Sequence, residues 1–254
     1  MFPILLVTAF ALILKSSIAF NKKSKEIKAE DSLTKAESSS IQGVIHESAN
    51  NIANVVKRGN RIYTNAINGL ALQDLVLLKK NKKQVVKLSD EVDELRDHIF
   101  YFIKNLDESS VAASNFYIHI LSYLQDMVQS LEYISKVSHK HVNNNHKVLK
   151  KGQVKDLKEI DIELSAMLKE ISAIFETRNF TEIGKIIEER RDFVNHVTEI
   201  IERQVNRIRT EESSPKNTTL YFGNLLETKD LIQAVMSLLE LYQEFELNLR
   251  KQTL

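Results

Sequence analysis

Residues 84–106 read QVVKLSDEVDELRDHIFYFIKNL, and the apolar positions Val85, Leu88, Val92, Leu95, Ile99, Phe102 and Leu106 recur alternately three and four apart. In an α-helix residues at those spacings share a face, so this run is one apolar stripe, the seam of a helix bundle. The pattern repeats downstream. A second helix, following a cap at Asp107 or Ser109, carries Tyr117, Ile120, Leu121, Leu124, Met127, Val128, Leu131 and Ile134 and ends near Val142. A third runs from about Gln153 to Thr177 with Leu157, Ile160, Leu164, Met167, Ile171 and Ile174 inward. A fourth follows Asn179 with Ile183, Ile187, Val194, Val197, Ile201, Val205 and Ile208, and Ser213, Ser214 and Pro215 stop it. A fifth starts around Asn217 or Thr218 and carries Leu225, Leu231, Val235, Leu238, Tyr242, Phe245 and Leu249. Short connections turn successive helices antiparallel, which predicts an all-α, up-and-down bundle of about five long helices over residues 84–254.

Composition agrees with that class. The 254 residues include only six Gly and two Pro, Pro3 and Pro215, so almost nothing interrupts a helix between them. No cysteine occurs, which excludes disulfides, thiolate catalysis and Cys-ligated zinc. A net charge of +1 gives no global reason to expect nucleic acid as a partner. GxSxG, Walker, dinucleotide and HExxH motifs are all missing, so nothing points to an enzyme.

The N-terminal region carries a different signal. Met1 to Leu14 holds no charge, and Lys15, Lys22, Lys23, Lys25 and Lys28 follow it. With Lys15 snorkelling, residues 1–20 approach the roughly 20 residues that span a bilayer, and the basic flank favours a cytoplasmic C-terminal portion at the inner membrane. The competing reading is a cleaved signal peptide with Ser17-Ile18-Ala19 as the small-residue site, which would make the chain an exported helical binding protein. Its weakness is the lack of a basic segment before the apolar run. Residues 21–40 alternate Lys, Glu and Ser and read as a charged linker.

Residues 41–83 are expected to form two modest, basic amphipathic juxtamembrane helices, punctuated by Gly43, Gly59 and Gly69. Their apolar positions include Val44, Ile52, Val55, Val56, Ile62, Ala66 and Leu70. With Lys57, Arg58, Arg61, Lys79, Lys80, Lys82 and Lys83 alongside, such a segment can lie on anionic lipid headgroups. The plain alternative is that it packs on the bundle with its basic face in water.

Two acid pairs could hold a hard cation: Asp93 with Asp97, and Glu188 with Asp192, each four apart and so stacked on one helix face. Among 34 acidic residues such pairs also arise by chance, and the plain reading of each is a solvated face. Arg190 interrupts the apolar run of the fourth helix, either as a buried ion pair or, the preferred reading, as a snorkelling side chain. The stretch from His139 to Lys147, HKHVNNNHK, could bind a metal or an anion. It reads better as a helix C-terminal cap, with basic groups at the negative end of the helix dipole and Asn in the left-handed turn. His98 and His119 read as helix-surface or interhelical polar groups.

The run from Leu95 to Leu149, including YFIKNLDESSVAASNFYIHILSYLQDMVQSLEYISKVSHKHVNNNHK at 101–147, resembles the cytoplasmic C-terminal region of PiT-family inorganic phosphate transporters, particularly the form found in Bacteroidetes. TLYFGNLLETKDLI at 219–232 fits the same region, and the resemblance extends over roughly Ile41 to Phe245. That region is in turn similar to PhoU, a helical-bundle regulator of phosphate uptake. The resemblance implies a PhoU-like bundle whose partners are the membrane and a transporter membrane domain, with homo-oligomerisation open. It also implies divalent or iron-type metal ions held by an acid-x-x-x-Asp pattern, which Asp93, Asp97, Glu188 and Asp192 match in spacing. Residues 1–20 would then be the remnant of a final transporter helix. The membrane repeats that carry phosphate in that family are absent from this chain, so it is expected to regulate or support transport and not to transport on its own. A coiled-coil scaffold unrelated to phosphate is the remaining alternative.

Overall fold

A computed structural model describes residues 41–104, 111–210 and 214–252. The regular elements are α1 (Ile41–Leu72), α2 (Leu75–Asp97), the short α3 (Ile99–Lys104), α4 (Val111–Asn143), α5 (Lys151–Thr177), a 3-10 turn (Phe180–Glu182), α6 (Ile183–Arg190), α7 (Phe193–Thr210) and α8 (Pro215–Gln252). Every one of them is helical, as the 3.6-residue periodicity predicts. Side-chain bonds fix the antiparallel order. Along α1 and α5, Lys57 meets Glu176 at 2.9 Å and Thr64 meets Asp161 at 2.7 Å. Tyr242 donates to the Ile45 carbonyl at 3.2 Å while Tyr63 lies 2.9 Å from Thr228, so α8 descends as α1 ascends. Asn81 of α2 donates to both the Ile62 carbonyl and the Ser135 hydroxyl, each at 3.0 Å, tying α1, α2 and α4 together in the interior.

The predicted stripes of α4 and α5 are buried at every named position, and the α2 stripe from Val85 to Leu95 is buried likewise. Packing is densest between α4 and α8, α1 and α5, and α2 and α4.

Residues 41–83 form one long helix and the start of a second in place of two modest ones, and they pack on the bundle. They hold the whole of α1, a single 32-residue helix that runs through Gly43, Gly59 and Gly69 and packs against α2, α4 and α5. Those glycines do not break the helix, because Gly69 has a packing role. A Cβ there would sit 2.6 Å from Leu78 Cγ, so its absence lets α1 and α2 approach closely near their shared turn. Arg58, read above as part of a basic face, is only 6% exposed and grips both carboxylate oxygens of Glu91 at 2.6 and 3.3 Å. A guanidinium at that depth is stable because the two-pronged pair returns the hydrogen bonds lost with water.

The connections follow from local chemistry. At the α1–α2 turn Gln73 takes φ 55°, the Asp74 amide donates back to the Gly69 carbonyl at 2.8 Å, and the Asp74 carboxylate then caps α2 by accepting from the Leu77 amide at 2.9 Å. After α4, Asn145 takes φ 51°, and the amides of Asn145 and His146 return to the Val142 and His141 carbonyls at 3.0 and 3.2 Å. The HKHVNNNHK stretch is thus a helix cap, built on the left-handed Asn its composition suggested.

The fourth predicted helix is two helices. α6 ends at Arg190 and a turn at Arg191 and Asp192 precedes α7. The bend shifts the inward face by about one residue: Ile186, Phe193, Val197, Ile200 and Gln204 are buried, whereas Val205 and Ile208 are 47% and 38% exposed. Arg190 pairs with Glu170 of α5, at 3.0 and 3.1 Å to the two carboxylate oxygens, but Glu170 is 47% exposed, so this is a surface ion pair and not the buried one. No helix among the described residues is long and apolar enough to cross a membrane. The 1–20 segment, the 21–40 linker and the Asp107 or Ser109 cap lie outside the described residues.

Candidate functional site

The acid pairs meet different fates. Asp93 lies on the outward side of α2 and pairs with Arg96 at 3.3 Å, while Asp97 is exposed at the final residue of that helix. Glu188, also exposed, pairs with Arg191 at 2.8 Å. Asp192 falls beyond the end of α6, in the turn that precedes α7. α2 packs on α1 and α4, and α6 packs on α8 and α5, so the two pairs belong to different neighbourhoods. Among the described residues no group of three or more His, Asp or Glu is assembled to hold a metal. Asp93 with Asp97 and Glu188 with Asp192 thus stand as two separate pairs in different parts of the bundle.

The histidines are placed by structural bonds. His141 Nε2 bonds the Lys147 carbonyl at 2.9 Å and its ring tilts against that of His146. His98 Nδ1 contacts the Glu94 carbonyl at 2.7 Å, and His119 is exposed, consistent with surface roles. His196 Nδ1 meets Glu163 at 2.9 Å, pinning α7 to α5.

Buried charge gathers around Asp156 of α5. It accepts from Arg207 of α7 at 2.6 Å and from the Tyr221 hydroxyl of α8 at 2.7 Å, with Arg203 at 3.6 Å. Burial and the adjacent carboxylate push the Tyr221 phenol well above its ordinary range, so it stays protonated and donates. This cluster fastens three helices.

An open face lies between α4 and α8. A groove of about 520 Å³ is lined from α4 by Tyr123, Asp126, Ser130 and Tyr133, and from α8 by Glu227 and Asp230 among others. Gly223 shapes its wall, because a Cβ there would stand 2.9 Å from the Tyr133 hydroxyl, so the ring lies directly across the α8 backbone. Burial raises the Asp126 carboxyl above its ordinary value. Burial raises Glu227 too, with the Ser130 hydroxyl opposing the shift and Asp230 reinforcing it. Three carboxyls set between two phenols make an electronegative cleft suited to a partner that brings cationic side chains.

Sequence reading passed over this groove because its walls are about a hundred residues apart in the chain. The signal was present as polar stripes at helical spacing, Tyr123, Asp126, Ser130 and Tyr133 on one helix and Glu227, Asp230, Gln233 and Ser237 on the other, each beside an apolar seam. Comparison with family models, with curated proteins and with solved structures gives no match for this chain.

Proposed function

We propose that this chain is a membrane-tethered, cytoplasmic helical domain that belongs to, or partners, an inorganic phosphate transporter and regulates it without transporting phosphate itself. One observation supports the reading above others. The stretches that carry the resemblance to PiT-family C-terminal regions, 101–147 and 219–232, contain the whole of α4 and part of the first half of α8, and those two helices line the acidic groove together. Residues distant in sequence thus share one surface.

The chemistry of that surface fits such a partner. Cytoplasmic loops of membrane proteins carry an excess of Lys and Arg, and a cleft lined by Asp126, Glu227 and Asp230 is their electrostatic complement. Regulation then consists of the bundle holding or releasing such a loop. The uncharged Met1–Leu14 run with its basic flank supports the tether and the cytoplasmic side.

The test is uptake of radiolabelled phosphate across a range of external concentrations, in cells with the gene deleted and in the same cells with it restored. Deletion is expected to change the uptake rate, and restoration to return it. Superimposable uptake curves in all strains would remove the phosphate connection and leave the scaffold reading.

A further inference from the structure

The bundle has one chemically distinct end. The start of α2 and the end of α4 lie side by side there, since Asn81 of α2 donates to the Ser135 hydroxyl of α4 at 3.0 Å and the two helices pack closely. At the turn, Leu72 and Val76 are 74% and 81% exposed, and Leu75 is exposed beside them. Nothing in the fold needs these apolar residues there. A turn of two residues capped by Asp74 is served as well by polar side chains, and Leu78 one helical turn on already supplies the buried contact.

Directly behind this apolar tip stand Lys79, Lys80, Lys82 and Lys83, all exposed and, among the described residues, with no carboxylate partner. The neighbouring loop adds exposed Lys140, Lys147 and Lys151. From residue 75 to 89, and again from 133 to 155, the sequence contains no Asp or Glu at all, although acids and bases are nearly balanced in the whole chain, 34 against 35. Asp74 is the one acid at the turn, and its carboxylate is engaged in capping α2.

We infer that this end docks on an anionic lipid surface, with Leu72, Leu75 and Val76 entering the headgroup boundary and the lysine collar meeting lipid phosphates. An apolar point ringed by cations is what such a surface selects, because the hydrocarbon gains from burial while the charges remain at headgroup level. A protein partner is less well matched, since the exposed lysines stand beside the apolar residues without a compensating acid over residues 75–89. The docking is end-on, which differs from an amphipathic helix lying flat: α1 itself is buried in the bundle. It stands independently of the phosphate-transport reading, and its test is a separate one.

The chain contains no Trp, so Val76→Trp in the full-length protein gives a sole fluorescent reporter at an exposed site. Emission should shift to the blue with vesicles of phosphatidylcholine plus phosphatidylglycerol and stay unchanged with phosphatidylcholine alone. A second reporter, Ile162→Trp on the exposed side of α5, should not respond beyond any shift common to both vesicle types. Replacing Lys79, Lys80, Lys82 and Lys83 by Gln in the Val76→Trp background should weaken the anionic-vesicle response at least about tenfold, since each lysine near such a surface contributes roughly a fivefold factor before screening. The inference is overturned if the Val76→Trp emission ignores anionic vesicles, responds equally to neutral ones, or is shifted by inorganic phosphate alone. It is also overturned if the quadruple Gln variant, folded by circular dichroism, responds as strongly as its parent.

Discussion

His141 shows how a single residue ties fold to solution conditions. It is 4% exposed, its Nε2 donates to the Lys147 carbonyl, and burial, with His146 alongside, lowers its pKa below the ordinary 6.5 despite the opposing effect of that hydrogen bond. His139 is lowered as well, by burial and by Lys82 and Lys79. A folded-state pKa below the unfolded value means that the unfolded chain takes up the proton first. The contribution to stability is therefore complete above about pH 6.5 and is lost as pH falls through that value toward the folded pKa. Asp161, Asp126 and Glu227 are shifted upward, mainly by burial, and act oppositely, adding stability as pH falls toward the ordinary carboxylate values. Thermal melts should show the midpoint falling between about pH 7 and pH 5.5, and His141→Gln, which can still donate to Lys147, should shrink that fall. An identical slope in the variant would remove His141 from the account. At this scale the sequence was partly legible. The HKHVNNNHK composition announced a cap because Asn adopts the left-handed turn readily, but the burial of Arg58 was hidden, since its partner Glu91 lies on another helix and a lone cation looks the same on a wet face or a dry one.

At the scale of the helix, periodicity did most of the work where a stripe faces a continuous neighbour. α4 and α5 bury every position the spacing named. It failed where the chain bends. The turn at Arg191 and Asp192 contains neither Gly nor Pro, so nothing in the composition marks it, and the inward face of α7 rotates by about one residue as a result. The same turn places Asp192 beyond the end of the helix that carries Glu188. Gly69 misled in the opposite direction, because a glycine inside a helical run is equally a break or a close contact until the neighbour is known. Here the neighbour is the fully buried Leu78. Gly69→Ala should therefore destabilise the bundle by about 1–2 kcal/mol in chemical denaturation, the cost of overpacking outweighing the modest gain in helix propensity. Unchanged or increased stability would show that α1 and α2 can separate without penalty.

On the scale of the whole molecule, the all-helical class was legible; the start of α2 at Leu75 was not, and the place of α1 was left between two readings. Its seam is interrupted by Gly, Asn and Arg side chains that find partners only in the folded interior, so the segment reads as more polar than the place it occupies. The groove between α4 and α8 was illegible for the related reason that it exists only across a long-range contact. With the basic, apolar-tipped end, the bundle presents an acidic cleft on its side and a cationic surface at one end, an arrangement suited to holding a basic loop while resting near headgroups. The most direct measurement of the regulatory claim is phosphate uptake in deletion cells carrying the combined Asp126→Asn, Glu227→Gln and Asp230→Asn variant, with folding checked by circular dichroism. The account predicts uptake matching the deletion strain, because the cleft has lost its charge while the bundle stands; uptake matching the wild type would contradict it.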